Sequence, residues 1–309
     1  MKWMHGLAGF AAAAIGSCAL IGAALAQAAP DPTKWRMLDP ENTLYVETTK
    51  GRVIIEMFPE VAPRHIQRIR ELTRANLYDG LVFFRVIDGF MAQTGDPENT
   101  GRGSAPDKPD LAAEFEFRRG PEMPFVEAAR QGGMRAGFYK TLPIITQPDS
   151  IMAMTEDNRA RAYATHCAGA VAMARSGVIN GVDQVNSANS QFYVTRAPYE
   201  TLDRRYTVWG RVVHGMDAIR GLAVGEPPTR PDAMQRVRLA SDLPAGERAP
   251  IYVIRTDSAD FRKMVDQKRR ERGADFSVCD IDFPARIPQD EAQAETERPW
   301  WRALIPIIP

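Results

Sequence analysis

Residues 83–104 read FFRVIDGFMAQTGDPENTGRGS, and the first part of this stretch, up to 93, sets the cation Arg85 and the primary amide Gln93 among Phe83, Phe84, Val86, Ile87, Phe90 and Met91. It contains no histidine, no cysteine and no pair of carboxylates spaced for acid–base work. Arginine stays charged and presents a rigid fork of donors, and an amide both donates and accepts hydrogen bonds. Neither moves a proton at neutral pH. Such a set suits a reaction that needs a fixed donor and an apolar seat and in which no group titrates.

The elements that would hold these residues read mainly as strands. Residues 43–48 and 52–58 alternate around Lys50-Gly51, a hairpin signal. Pro63 opens a helical pattern with Ile66, Ile69 and Leu72 on one side. Further strands are expected at 81–87, 170–174, 191–195, 208–213 and 235–240. Short strands, turn signals and few helices predict an all-β, antiparallel barrel or sandwich. Between Phe117 and His166 the rhythm lapses into a stretch rich in Gly, Pro, Met and Ala, which reads as a long insertion. From Ile251 a small α+β unit is expected: a strand IYVIR, an N-cap at Asp257 or Ser258, and a helix carrying Phe261, Met264 and Val265. Gly273 ends the helix, and a strand FSVCDIDF follows.

The chain has 309 residues and balanced charge, 39 basic against 39 acidic, so no overall field recruits nucleic acid or anionic lipid. Residues 1–26 carry a charge only at Lys2, then an apolar run that closes on Ala24-Leu25-Ala26. This predicts a secretory signal peptide, cut after Ala26 or Ala28, and hence a periplasmic protein. Its removal leaves Cys167 and Cys279, which could pair in an oxidising compartment or stay as two buried thiols. The run KRRER at 268–272 reads as the solvated face of a helix. The tail from 286 ends in PWWRALIPIIP; Trp300 and Trp301 could touch a membrane surface, but its prolines forbid a spanning helix. His5, His65, His166 and His214 show no ligand spacing, so no metal is expected. Gly95, Gly101 and Gly103 lack the Lys-Ser/Thr ending of a phosphate loop and are expected to serve backbone turns with positive φ.

FFRVIDGFMAQTGDPENTGRGS, AGAVAMARS (168–176), NSANSQFYVT (186–195) and LDRRYTVWGRVVHGMD (202–217) together resemble, in order and spacing, the motifs of the cyclophilin-type peptidyl-prolyl isomerases. The resemblance implies a closed eight-stranded antiparallel barrel capped by two helices. The expected layout is a linker at 27–41, the isomerase domain at 42–240 with its insertion at about 118–166, a C-terminal extension at 241–285 and a disordered tail at 286–309. By the same resemblance Arg85 and Gln93 are catalytic, and Phe90, Met91, Ala174, Arg175, Gln191, Tyr193, Leu202 and Tyr206 bind substrate. It also implies catalysis without a cofactor, proline-containing polypeptide clients and a monomer. Tyr193 stands where a phenylalanine is usual and adds a hydroxyl at the pocket wall, and the insertion could narrow or extend the groove.

Two rival readings remain at this point. One is a non-catalytic chaperone or scaffold that binds proline-containing peptides; the other is a hydrolase using Cys167 as nucleophile, for which no third group is identifiable.

Overall fold

The computed structural model describes residues 29–244 and 247–288. The expected hairpin forms between strands Thr43–Thr48 and Gly51–Met57. Gly51 turns it at φ 122°, a conformation that favours glycine. Pro63 sits in the first turn of helix Pro63–Arg74, where its missing N–H leaves no intrahelical partner unpaired.

Eight strands make one antiparallel sheet in the order Met234–Leu239, Thr43–Thr48, Gly51–Met57, Val208–His214, Ala170–Met173, Phe192–Thr195, Met91–Thr94 and Arg85–Ile87. Its ends meet. The Gly80 and Phe83 N–H groups donate to the carbonyls of Met234 and Asp232, and the Met234 N–H donates to Leu81. Closure of this kind removes the exposed edges. Helix Pro63–Arg74 and the shorter Met216–Arg220 cap the barrel, sending Ile66, Ile69, Leu72 and Ile219 into its core around Trp209.

Several expectations need correction. Within 81–87 only Arg85–Ile87 is a ladder strand, Val82 making an isolated bridge to Ala233. Met91–Thr94 is a separate strand whose Met-Ala-Gln-Thr sequence carries no β-branched alternation to announce it. The insertion is not structureless. It is a second antiparallel sheet of five strands: Phe117–Arg119, Ala160–Ala164, Leu142–Thr146, Met134–Tyr139 and Val126–Gln131. Alanine and arginine, weak strand formers, fill much of it and hide the pattern. The signal that could have found it is Gly132-Gly133, both at positive φ, between two six-residue strands.

This second sheet separates two cores. Tyr139, Leu142, Ile144 and Ala162 face the barrel's outer surface at Phe58, Met91, Tyr193 and Val208. The alternate residues Ala136, Phe138 and Ile145 face the C-terminal unit at Phe261, Val265 and Phe283. Period-two alternation is what allows one sheet to serve both sides. Phe138, Phe261 and Phe283 meet with ring centroids 5.2–5.4 Å apart.

In the C-terminal unit Ser258 caps helix Ala259–Arg272, its side chain accepting from the Phe261 N–H, and Gly273 follows at positive φ. FSVCDIDF is not a strand. Ser277 and Asp280 form a capping box that bends it into a short 3-10 turn, Val278–Asp280. Trp35–Met37, within the expected linker, pairs instead with Tyr252–Ile254, whose other neighbour is Ala285–Arg286. Arg286 therefore belongs to a strand; the expectations for residues 1–26 and for Trp300 and Trp301 lie outside the described residues. The basic run is a solvated helix face in part: Lys268 and Arg269 pair with Glu271 and Asp266, while Arg269 also donates to the Ala128 carbonyl of the second sheet and lies over the Phe276 ring.

Cys167 and Cys279 are joined in a disulfide that ties the barrel to the C-terminal unit across 112 residues of sequence. This excludes Cys167 as a free nucleophile. Closing so long a loop is expected to contribute about 2–5 kcal/mol. A Cys167→Ser/Cys279→Ser chain should lose about that much in urea-monitored unfolding free energy; an unchanged midpoint would contradict it.

After strand Met91–Thr94 the chain wraps around Asp96, which is fully buried. Burial opposes its ionisation, but N–H groups of Glu98, Gly103, Gly101 and Thr100 outweigh this and hold its pKa below the ordinary 3.8. The contribution of the carboxylate to stability is complete above the ordinary value and is lost as pH falls through the lower folded value. Asp96→Ala should cost about 2–4 kcal/mol at pH 7, since several N–H groups lose their acceptor. In denaturant titrations that gap should begin to narrow below about pH 4 and shrink as pH falls through the lowered folded pKa; a gap independent of pH would contradict the assignment.

Candidate active site

Strand alternation decides where each candidate residue points. Val86, Ala92, Val171 and Val194 face the barrel core. Their neighbours Arg85, Met91, Gln93, Ala172 and Tyr193 therefore stand on the outer face of four adjacent strands. The register sets Arg85 opposite Gln93, Gln93 opposite Tyr193, and Tyr193 opposite Ala172. A cation, an amide and an aromatic ring thus form one row across the sheet.

Arg85, Phe90, Met91, Gln93, Ala174, Arg175, Tyr193, Leu202 and Tyr206 line a single cavity of about 120 Å³. Gln191, two residues before Tyr193, lines the adjoining cavity of about 390 Å³, which shares Gln93, Ala174 and Arg175. All the sequence-derived site residues of the barrel are thereby brought together, although they come from segments more than a hundred residues apart. No residue of 118–166 lines either cavity. The insertion packs on the same outer face of the barrel, beside the pocket, in one apolar cluster with Met91 and Tyr193.

The apolar seat is packed from several sides. Met91 is buried, and Phe90 lies against Tyr199 with centroids 4.4 Å apart. Leu202 arrives on the short 3-10 turn Glu200–Leu202. Tyr206 meets Tyr193 edge-on at 5.7 Å and carries the Arg175 guanidinium over its ring at 4.7 Å. The same guanidinium donates from Nη1 to Asp183 Oδ1, 2.6 Å away on the hairpin formed by Val178–Ile179 and Val182–Asp183.

The hydroxyl of Tyr193 is tied away. It lies 3.0 Å from His166 Nε2, and Nδ1 of that ring is 2.8 Å from Asp203 Oδ1. Burial raises the Tyr193 pKa well above its usual value, with Tyr206 and Asp203 adding to the effect. The hydroxyl therefore stays neutral, and His166 has a structural role.

The polar rim is a connected chain. Gln191 Nε2 donates to the Gly103 carbonyl at 2.8 Å, and Gln93 Nε2 donates to Gln191 Oε1 at 2.9 Å. Arg85 Nη1 donates to Gln93 Oε1 at 3.5 Å, and Arg85 Nε donates to Glu226 Oε2 at 2.6 Å. Gly103 does not have positive φ. A Cβ there would lie 2.0 Å from Asp96 Oδ1, so close approach is what requires glycine; Gly95 and Gly101 do adopt positive φ. The Arg85 side chain is 38% exposed, so its low-dielectric setting is completed only when something covers it. Sequence reasoning missed Tyr199 and Glu226. Neither carries a local signal, and Glu226 is 141 residues from Arg85.

The family profile described as "Cyclophilin type peptidyl-prolyl cis-trans isomerase/CLD" matches residues 43–241. The chain is 33% identical over 198 residues to a "Probable peptidyl-prolyl cis-trans isomerase" of Brucella suis, covering 60% of this chain and 74% of that one. It is 27% identical over 219 residues to human "Peptidyl-prolyl cis-trans isomerase-like 1", covering 71% and 99%. Among solved structures, cyclophilin AquaCyp293 from Hirschia baltica is 38% identical with a TM-score of 0.75, over 83% of this chain and 94% of that one. That coverage exceeds what residues 43–241 alone supply, so the likeness reaches beyond the region matched by the family profile. By motif, barrel and comparison alike, the chain belongs to the cyclophilin-type peptidyl-prolyl cis–trans isomerases.

Proposed function

We propose that this isomerase turns Xaa-Pro bonds in unfolded or flexible protein segments, with the proline ring seated against Phe90, Met91, Tyr193 and Leu202 and with Arg85 as the catalytic cation. The observation that carries the reading is the row of Arg85 and Gln93 on the rim of an apolar cavity of about 120 Å³. Rotation about a peptide bond breaks amide resonance, at a barrier of about 18–20 kcal/mol. In the planar ground state the prolyl nitrogen lends its lone pair to the carbonyl and is a poor acceptor. In the twisted state the pair is localised on nitrogen and accepts well. A guanidinium aimed at that nitrogen binds the twisted state better than either planar isomer, which is the condition for catalysis. A bound client also covers Arg85 and strengthens the bond.

Gln93 holds Arg85 and can receive the client backbone. Chain leaving the pocket runs on into the polar cavity at Gln191 and Arg175. Apolar seating and a cation at the rim would serve a purely holding protein as well, so the rate measurement decides between the two readings. Export to the periplasm, where such an enzyme assists folding, is supported by the leader pattern of residues 1–26 and by the Cys167–Cys279 disulfide, which suits an oxidising compartment.

Exchange spectroscopy on an Xaa-Pro peptide should show acceleration by the wild type and loss of most of it in Arg85→Ala, with peptide binding retained. No group in contact with the proline titrates near neutrality, so the wild-type rate should be flat from about pH 6 to 8. Retained acceleration in the variant, or a bell-shaped profile, would refute the mechanism. In the source cell, the periplasmic chain should begin at Gln27 or Ala29 by mass spectrometry; an uncut leader in the cytoplasmic fraction would refute export.

A further inference from the structure

We propose that Glu226 is a positioning residue for the isomerase reaction, its carboxylate orienting the Arg85 guanidinium toward the prolyl nitrogen. The proposal rests on the reading of Arg85 as the catalytic cation. The contact is direct: Arg85 Nε donates to Glu226 Oε2 at 2.6 Å, within the range of charge-assisted hydrogen bonds. Among the described residues the Glu226 side chain has no other hydrogen bond or ion pair.

The backbone is built to present it. Val86 and Gly225 exchange N–H···O bonds of 2.8 and 2.9 Å, so the residues next to them, Arg85 and Glu226, are held side by side. At position 225 a Cβ would lie 2.5 Å from Pro228 Cα, which restricts it to glycine, and Pro227 and Pro228 stiffen the far side of the loop. A loop fixed on both sides of one carboxylate holds that carboxylate in place.

The ion pair does little for folding. Its partners are 38% and 53% exposed, and pairs of that exposure contribute little to stability. Its effect falls on geometry. Glu226 takes the Nε–H and Gln93 takes one Nη1 hydrogen, which leaves three of the five N–H groups for a substrate. Without Glu226, the Gln93 contact at 3.5 Å is the remaining restraint, and a half-exposed arginine turns its head to water.

A carboxylate also offsets part of the cation's charge, and the two effects oppose each other. The prolyl nitrogen is neutral at the twisted state and is recognised by a short, directional hydrogen bond, so orientation outweighs the distant charge. Removing Glu226 should therefore slow the reaction.

The test uses the full chain and a short Xaa-Pro peptide, comparing wild type, Glu226→Ala, Glu226→Asp and Arg85→Ala. Glu226→Ala should lower kcat about tenfold, as misplacement of a catalytic group does, with KM and the melting temperature unchanged. Glu226→Asp should recover part of the rate. Added formate should raise the rate of Glu226→Ala and leave Arg85→Ala unaffected. A Glu226→Ala chain as fast as or faster than wild type, beside an inactive Arg85→Ala, would overturn the positioning role alone. Slowed turnover with a lowered melting temperature and no response to formate would show a structural role and overturn it too. An Arg85→Ala chain with wild-type turnover would remove the catalytic assignment, and the proposal with it.

Discussion

A guanidinium held in one orientation beside an apolar seat is the constraint on which the site depends. The charge alone would be of little use, because an arginine 38% exposed to water samples many directions. Its direction comes from two sides. A chain of amides runs from the Gly103 carbonyl through Gln191 and Gln93, and Glu226 stands opposite. Each member is placed by backbone: Gln93 by strand register, Gln191 by the Ala174 N–H that donates to its carbonyl, Gly103 by the loop wrapped around Asp96, and Glu226 by the Val86–Gly225 bridge.

The barrel makes this possible through its two faces. Alternate residues of the same strands fill the core and build the site, so the site cannot shift unless the core moves with it. The sheet at 117–164 adds a layer on the outer face beside the pocket, where Tyr139, Leu142 and Ile144 share one apolar cluster with Met91 and Tyr193. The C-terminal unit then covers the outer side of that sheet and is bound by the Cys167–Cys279 bridge. His166, next to that cysteine, anchors the Tyr193 hydroxyl. Insertion and extension thus form a continuous support that ends at the pocket wall.

Local chemistry was legible in the sequence and long-range pairing was not. Arg85, Gln93, Phe90 and Met91 were readable because one short segment holds them all, and the other pocket residues followed from motifs of fixed spacing. Pro63, Ser258 and Gly273 marked helix ends through their own backbone preferences. The second sheet escaped notice because Ala and Arg carry no strand signature, and its stability comes from cores on both sides. Glu226 escaped because an exposed glutamate before two prolines looks like any loop residue until the fold brings it to Arg85. FSVCDIDF misled in the opposite direction: its apolar alternation imitates a strand, while Ser277 and Asp280 bend the backbone into a turn.

The central claim is that a rigid fork, and not merely a positive charge, rewards the twisted amide. Arg85→Lys keeps the charge and removes the fork. Titrating an Xaa-Pro peptide into this variant while recording exchange between its bound cis and trans forms separates the two quantities in one experiment. The account predicts peptide affinity within about twofold of wild type and a bound-state exchange rate lower by at least about tenfold. An exchange rate equal to wild type, or a loss of affinity that accounts for the whole change, would contradict it.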